Sequence, residues 1–247
     1  MIEDYRYYRF TRMEDIRCLL QEILFISALG YLFYHTVFAV LLLSPLVIVF
    51  RKKKREQQME ERKWKINQEF KDGIISLSAA LSSGYSAENA FEEAWKDLKL
   101  LYKEDALIMR EFSYIINQIR MNITVEEALN EFAERTGVED ILNFAEIFST
   151  AKRSGGDLVK VIRSTANAIS DKVEVKREII TMVTAKKYEA DIMKIIPLGI
   201  IFYLQFFSPG FLDPLYHNIL GRMVMSILLV AYLCAYYLAD KIVAIEV

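Results

Sequence analysis

Two long apolar stretches, one near each end of the chain, constrain the fold more than any other feature of the sequence. Residues 23–50 contain no Asp, Glu, Lys or Arg, and residues 195–239 contain only Asp213 and Arg222. The residues between these stretches are rich in all four charged types. A helix needs about 20 predominantly apolar residues to cross the hydrocarbon core of a bilayer. The sequence therefore predicts an integral membrane protein whose charged central part faces water.

The first apolar stretch is long for one span and short for two. As a helix, residues 23–50 would measure roughly 42 Å, against a hydrocarbon core of about 30 Å. Gly30 and Pro45 offer places for the chain to turn or kink. One tilted span and a hairpin of two short helices both remain open, and we favour a hairpin that starts near Leu19.

A basic run directly after this stretch predicts the orientation. Lys and Arg clusters stay on the cytoplasmic side, where they also meet anionic lipid headgroups. We therefore expect the central domain to be cytoplasmic, and residues 208–221, which contain no Lys or Arg, to form an external loop. The residues predicted to fix the topology are Arg51, Lys52, Lys53, Lys54 and Arg55.

Two ionisable residues lie in or beside the apolar stretches, where such groups often mark function. We interpret both as structural. Lys194 can extend from a helix end toward water, and His35 lies at a predicted turn beside Thr36.

The central domain shows helical periodicity throughout, with no competing period of two. Apolar residues recur at spacings of three and four, as in Phe70, Ile74, Leu77 and Leu81. Similar stripes begin near Ala87, Ile108, Val125, Val138 and Leu158. The predicted fold is all-α, a six-helix domain built of three αα-hairpins and flanked by transmembrane helices.

Three joints between these helices share one pattern. A Gly or Asn, which tolerates the left-handed conformation that ends a helix, precedes by two residues a Ser, Thr or Asp that can cap the next helix. Because the pattern recurs, the two glycines of the third joint indicate a bend and not a phosphate-binding loop, whose templates they do not match. The pairs are Gly84 with Ser86, Asn122 with Thr124, and Gly155 with Asp157.

The last helix of the domain has no internal stop signal. After Asp157 the first proline is Pro197 and the first glycine is Gly199. About 40 residues can therefore form one helix of roughly 60 Å that enters the membrane. A break near Lys186 and Lys187 is the alternative, and the sequence does not decide between them.

The sequence offers no constellation for catalysis. The chain has two histidines. Its pairs of adjacent acidic residues point about 100° apart on a helix, where they complement the helix dipole. We expect no catalytic, cofactor or metal site, although a weak cation site at the acidic residues stays open. A net charge of −2 argues against a nucleic-acid partner. The acidic pairs are Glu92 and Glu93, Glu126 and Glu127, and Glu139 and Asp140.

These features divide the chain into eight parts. They are a cytoplasmic N-terminal segment (1–18), the first membrane segment or segments (19–50), a basic juxtamembrane linker (51–66), the cytoplasmic helical domain (67–191), two transmembrane helices (192–207 and 222–240), the external loop (208–221) and a cytoplasmic tail (241–247).

Four segments in this order resemble the type II secretion F-domain family. The resemblance covers about residues 70–242, and its specificity lies in the series of helical joints followed by two spans. The segments are FKDGIISLSAALSSGYSAENAFEEA, NITVEEALNEFAERTGVEDILNFAEIF, AKRSGGDLVKVIRSTANAI and SPGFLDPLY.

The resemblance implies a non-enzymatic inner-membrane platform of a secretion or pilus machine. With one helical domain, the chain is similar to the single-domain form of tight-adherence pilus systems. The implied partners are membrane lipids, a hexameric ATPase, a second related platform subunit and pilin-like subunits, with an oligomeric platform. A membrane-bound enzyme that uses surface carboxylates and a transporter subunit remain the alternatives. The residues we predict for the ATPase contact are Glu134, Arg135, Lys152 and Arg153.

Overall fold

The computed structural model describes residues 5, 12–34, 45–154, 157–208 and 210–244. Within these residues the chain is helical and has no strand, which confirms the predicted all-α class. The described helices are α1 (Arg12–Tyr34), α2 (Pro45–Ser82), α3 (Ala87–Leu101), α4 (Leu107–Arg120), α5 (Val125–Thr136), α6 (Glu139–Ser154), α7 (Leu158–Phe207), α8 (Asp213–His217) and α9 (Ile219–Ala244).

The chain divides into two compact units. The helical unit comprises Met1–Arg9 and Arg55–Val175, and the membrane unit comprises Phe10–Lys54 and Lys176–Val247. The helical unit thus contains the later part of α2, all of α3 to α6 and the first part of α7, which are the six helices predicted from periodicity.

The core of the helical unit consists of the predicted apolar stripes. Its largest fully buried side chains include six phenylalanines, and the ring of Phe70 meets that of Phe144 edge-on, with 5.4 Å between their centroids. Tilted aromatic contacts also join Phe70 to Phe132 and Phe91 to Phe112. Burial of these rings is the main force that holds the six helices together.

A glycine allows α2 and α4 to pack closely. A Cβ atom built on Gly73 would lie 2.8 Å from Cζ of Phe112 and 3.4 Å from Cγ1 of Ile108. Since real Cβ atoms do not approach a ring carbon that closely, the spacing of these two helices depends on the missing side chain.

The first two joints have the predicted backbone geometry. Gly84 has φ of 91° and Asn122 has φ of 64°, so both lie in the left-handed region. In each joint the next residue donates its N–H to a carbonyl of the last helical turn, Tyr85 to Ala80 at 3.3 Å and Ile123 to Gln118 at 3.1 Å. This is the Schellman pattern of helix termination.

The predicted caps are also present. Thr124 and Glu127 form a reciprocal capping box at the start of α5, and the Ser86 hydroxyl accepts the Asn89 N–H at 3.4 Å. In the third joint, Asp157 Oδ1 accepts the Lys160 N–H at 3.1 Å. Gly155 lies outside the described residues.

The membrane unit contains helices that can cross a bilayer. Among the described residues, three helical segments are long and apolar enough by length and composition, namely Asp15–Tyr34, Leu158–Phe207 and Ile219–Ile242. A small core joins α1 to α9, where Tyr34 and Ser226 share a hydrogen bond of 2.7 Å between their hydroxyls.

The helix bounds add detail to the parts predicted from the sequence. α1 begins at Arg12, and residues 51–66, predicted as a basic juxtamembrane linker, lie inside α2. α7 is one helix of 50 residues with Pro197 inside it, so the break near Lys186 does not occur. Continuation is favoured because no residue between Asp157 and Pro197 disrupts helical hydrogen bonding.

Candidate functional site

The three joints meet at one end of the helical unit, and a lysine connects them. Lys152, in the last turn of α6, places its Nζ 2.8 Å from Glu126 Oε2 and 3.5 Å from Glu88 Oε1. Glu88 and Glu126 lie in the first turns of α3 and α5. The helix ends that carry the repeated caps are thus linked by charge.

Several side chains in and beside the joints are open to solvent. Tyr85 is 46% exposed and Met121 is 74% exposed, and both lie in the joints themselves. Arg153 is also exposed. We call this group the joint surface; it consists of Tyr85, Glu88, Met121, Glu126, Lys152 and Arg153.

The electrostatics of the joint surface favour the ionised form of Glu88. The Glu88 carboxylate accepts a hydrogen bond from a backbone N–H, an effect that outweighs partial burial, and Ser86 and Lys152 add to it. The pKa of Glu88 is therefore lowered from its ordinary value. The surface combines apolar side chains with fixed charges of both signs, a composition suited to a protein partner.

The predicted ATPase-contact residues do not lie together. Lys152 contacts Glu126 in the first turn of α5, whereas Glu134 and Arg135 lie in its last turn. Glu134 is exposed, but Arg135 is occupied by an ion pair with Glu111. The structure therefore separates the four residues into two pairs at opposite ends of α5.

The ion pair of Arg135 belongs to a site that sequence reasoning missed. Arg135 donates two hydrogen bonds to Glu111, of 3.1 Å to Oε1 and 2.6 Å to Oε2, and the Glu111 side chain is 3% exposed. Tyr5 donates its hydroxyl to the same Oε1 at 2.9 Å and its backbone N–H to the Arg135 carbonyl at 3.1 Å. The Arg62 guanidinium carbon lies 5.1 Å from the centroid of the Tyr5 ring. We call this the Tyr5 site.

Burial and the neighbouring carboxylate both act on the tyrosine. Tyr5 is 3% exposed. Burial, followed by the charge of Glu111 and the hydrogen bond to it, raises the pKa of Tyr5 well above its ordinary value. The hydroxyl thus keeps its proton and remains a donor to Glu111.

The neighbouring acidic residues have partners of their own, and Glu139 and Asp140 share Lys172. Glu92 Oε1 accepts from Arg120 at 2.9 Å, while Glu93 Oε2 accepts from Lys96 at 2.9 Å. Asp140 accepts from Asn67 at 2.8 Å and from Lys172 at 2.6 Å. Among the described residues, no group of three or more His, Cys, Asp and Glu side chains is placed to hold a metal ion.

A second polar cluster lies within the membrane unit. Lys194 of α7 donates to Asp191 at 2.8 Å and also bonds Asp240 of α9, and its Nζ lies 4.8 Å from the centroid of the Tyr236 ring. Lys53 of α2 bonds the other oxygen of Asp240. The Lys194 side chain is 12% exposed, so it is paired inside the protein, contrary to the extended, solvent-seeking position predicted for it. His35 lies outside the described residues.

The basic run takes part in this cluster and in contacts with α1. Arg51 pairs with Asp15, and Lys54 donates to Gln21 at 3.3 Å. The contact between Asp15 and Arg51 brings the two ends of residues 15–51 together. Lys52 and Arg55, also predicted to fix the topology, have exposed side chains.

The comparison with protein families agrees with the resemblance noted in the sequence. Residues 73–205 match the family described as type II secretion system (T2SS), protein F. No curated protein and no solved structure matches the chain. The matched range begins in α2 and ends in α7, so it includes all three joints and the joint surface.

Proposed function

Because the chain belongs to the family of the type II secretion system protein F, we propose that it is a non-enzymatic platform of a secretion or pilus-assembly machine in the inner membrane. The observation that carries this proposal is the family match over helices α3 to α6, which are the helices that present the joint surface. The candidate spans and the paired charges within the membrane unit support a multi-pass membrane protein.

The proposed orientation places the helical unit in the cytoplasm. Positively charged residues beside membrane helices stay on the cytoplasmic side, and the run from Arg51 to Arg55 is of this kind. The contacts of Asp15 with Arg51 and of Asp240 with Lys53 support a common side for the start of α1 and the end of α9. The first of these contacts also favours a hairpin between Asp15 and Arg51 over one tilted span.

The proposed partners follow from this role. A hexameric ATPase would bind the helical unit, and a second related platform subunit and pilin-like subunits would bind the membrane unit, in an oligomeric platform with lipid around it. For the ATPase we propose the joint surface, with Lys152 and Arg153 as its basic residues. Glu134 is exposed at the other end of α5 and can serve a separate contact. Arg135 is better placed for a structural role.

The continuous helix α7 supports a mechanical role for the platform. It is one continuous helix that contributes residues to both units. We propose that α7 transmits displacement from the helical unit to the membrane helices, so that ATPase motion reaches the pilin-like subunits.

The experiment that tests the proposal isolates the protein with its partners. Native membranes are crosslinked and gently solubilised, a C-terminal tag is pulled, and the captured proteins are identified by mass spectrometry. Recovery of a secretion-type ATPase, a related platform subunit or pilin-like proteins is the expected result. Capture of the chain alone, with turnover or transport by the purified protein, would instead favour the enzyme or transporter alternatives.

A pair of charge reversals tests the ATPase contact. Arg153→Glu changes the joint surface, and Glu104→Lys changes a side chain that is 90% exposed in the turn between α3 and α4. We expect Arg153→Glu to reduce ATPase recovery at least several-fold and Glu104→Lys to leave it unchanged. Equal recovery with both variants would contradict the proposed contact while leaving the platform role intact.

A further inference from the structure

The Tyr5 site joins a residue of the N-terminal segment to helices far along the chain. Tyr5 and Glu111 are 106 residues apart in sequence. Tyr5 is nevertheless as buried as the core residues of the helical unit. Its contacts come from three helices, through Arg62 of α2, Glu111 of α4 and Arg135 of α5.

The site recognises three different features of a tyrosine residue. The Glu111 carboxylate accepts the hydroxyl, the Arg135 carbonyl accepts the backbone N–H, and the Arg62 guanidinium lies over the ring. A hydrogen bond to a carboxylate is stronger than one between neutral groups, and a cation over an aromatic face adds attraction. Phenylalanine would lack the hydroxyl that Glu111 accepts, so the site is specific for tyrosine.

The acceptor for the Tyr5 hydroxyl is held in place by contacts between the helices. The Glu111–Arg135 pair is bidentate and is formed by α4 and α5 alone. The aromatic contacts of the core, between Phe70 and Phe132 and between Phe91 and Phe112, also do not involve Tyr5. The ion pair with Arg135 fixes the position of the Glu111 carboxylate, and a fixed acceptor favours ligand binding because less ordering is needed on association.

We propose that the Tyr5 site is a peptide-recognition site, and that the N-terminal segment binds there as a detachable ligand of the helical unit. This inference uses only the contacts of Tyr5 and does not depend on the proposed platform role.

The test uses full-length protein in detergent and a labelled synthetic peptide of residues 1–11. In the wild-type chain the tethered segment has an effective concentration of about millimolar, so micromolar peptide should not displace it. Tyr5→Ala vacates the site, and we expect the peptide to bind this variant saturably by fluorescence anisotropy. Tyr85→Ala is the matched control, because Tyr85 lies on the exposed joint surface, and it should behave as the wild type.

Peptide variants define the specificity. A peptide with Tyr5→Phe should bind the Tyr5→Ala chain about tenfold more weakly, because it lacks the hydroxyl that Glu111 accepts. A peptide with Tyr5→Ala should not bind. Equal binding of all three peptides, or no binding of any peptide to a folded Tyr5→Ala chain, would overturn the proposal.

A second variant keeps the test decisive if Tyr5→Ala does not fold, as judged by circular dichroism. The Tyr5→Phe chain retains the ring but docks its own segment more weakly, so the wild-type peptide should compete for the site at lower concentration than in the wild-type chain. Identical peptide binding by the Tyr5→Phe and wild-type chains would then overturn the proposal.

Discussion

The helical unit and the membrane unit distribute polarity in opposite ways. In the helical unit Phe70 is 1% exposed, whereas the Glu104 side chain is 90% exposed. In the membrane unit Phe207 is 72% exposed and the Lys194 side chain is 12% exposed. An apolar helix in lipid gains nothing by burying more apolar surface in protein, so its few charges are the groups that most require internal partners.

The difference shows which interactions specify each unit. The helical unit is specified by its phenylalanine-rich core and by capped helix ends. Among its described residues, the membrane unit has a small apolar core formed by α1, α8 and α9, together with a charged cluster that links α2, α7 and α9. Equivalent substitutions should therefore have unequal effects in the two units.

The largest expected contrast comes from removing a phenylalanine in each unit. Phe70→Ala should lower the free energy of unfolding of the helical unit by about 3–5 kcal/mol, because it leaves a cavity between Phe132 and Phe144. Phe206→Ala should cost less than about 1 kcal/mol, since Phe206 is 65% exposed. Urea titrations in detergent, followed by circular dichroism, measure both. Equal losses would contradict the proposed contrast in packing.

The charged cluster of the membrane unit should lose much stability when one of its members is removed, whereas an exposed charge on the same helix should contribute little. Lys194→Ala leaves Asp240 and Asp191 without their shared partner, and we expect a loss of about 3 kcal/mol from the stability of the membrane unit. Lys186→Ala removes an exposed pair with Glu189 on the same helix and should cost less than about 0.5 kcal/mol. Thermal unfolding in lipid nanodiscs compares the two variants, and a similar melting temperature for both would show that the cluster contributes little.

Replacing a glycine by alanine should also affect stability differently in the two units, by smaller amounts. Gly73→Ala should destabilise the helical unit by about 1–3 kcal/mol, because its new methyl group would press on Phe112. A Cβ atom built on Gly199 of α7 would meet no other atom within 4 Å, so Gly199→Ala should stabilise that helix by up to about 1 kcal/mol. The same urea titrations serve here, and destabilisation by both changes would mean that α7 is tightly packed at Gly199.

The smallest expected effect concerns pH. Because the folded-state pKa of Glu88 lies below its ordinary value, its contribution to stability is present above the unfolded pKa and is lost as pH falls through the folded pKa. Glu88→Gln should therefore flatten part of the decline in melting temperature between about pH 5 and pH 3. If the melting temperature of this variant depends on acid pH as that of the wild type does, the charge of Glu88 does not contribute to the stability of the joint surface.

Local features of the helical unit could be predicted from the sequence. Left-handed residues at Gly84 and Asn122, and caps at Ser86, Thr124 and Asp157, depend on only a few neighbouring residues. The apolar stripes likewise predicted the six helices. A further left-handed glycine, Gly137, ends α5 with φ of 57°. It lies between two of these stripes, so the same reasoning could have identified it.

Tertiary contacts between distant residues could not be predicted in this way. Arg135 has the same local appearance as any charged residue in the last turn of a helix, and its pairing with Glu111 depends on how α4 and α5 pack. Tyr5 stands in a short segment without helical periodicity, so its burial had no sequence signal. The pairing of Lys194 with Asp240 of α9 likewise depends on how two helices meet.

The most direct test of the account asks on which side of the membrane the helical unit lies. Cys18 and Cys234 are first replaced by serine, and single cysteines are introduced as Arg153→Cys in the joint surface and His217→Cys in α8. Right-side-out membrane vesicles are then treated with a membrane-impermeant maleimide. The account predicts labelling at position 217 in intact vesicles and labelling at position 153 only after lysis. Labelling of position 153 in intact vesicles would place the helical unit outside the cytoplasm and contradict the proposed contact with a cytoplasmic ATPase.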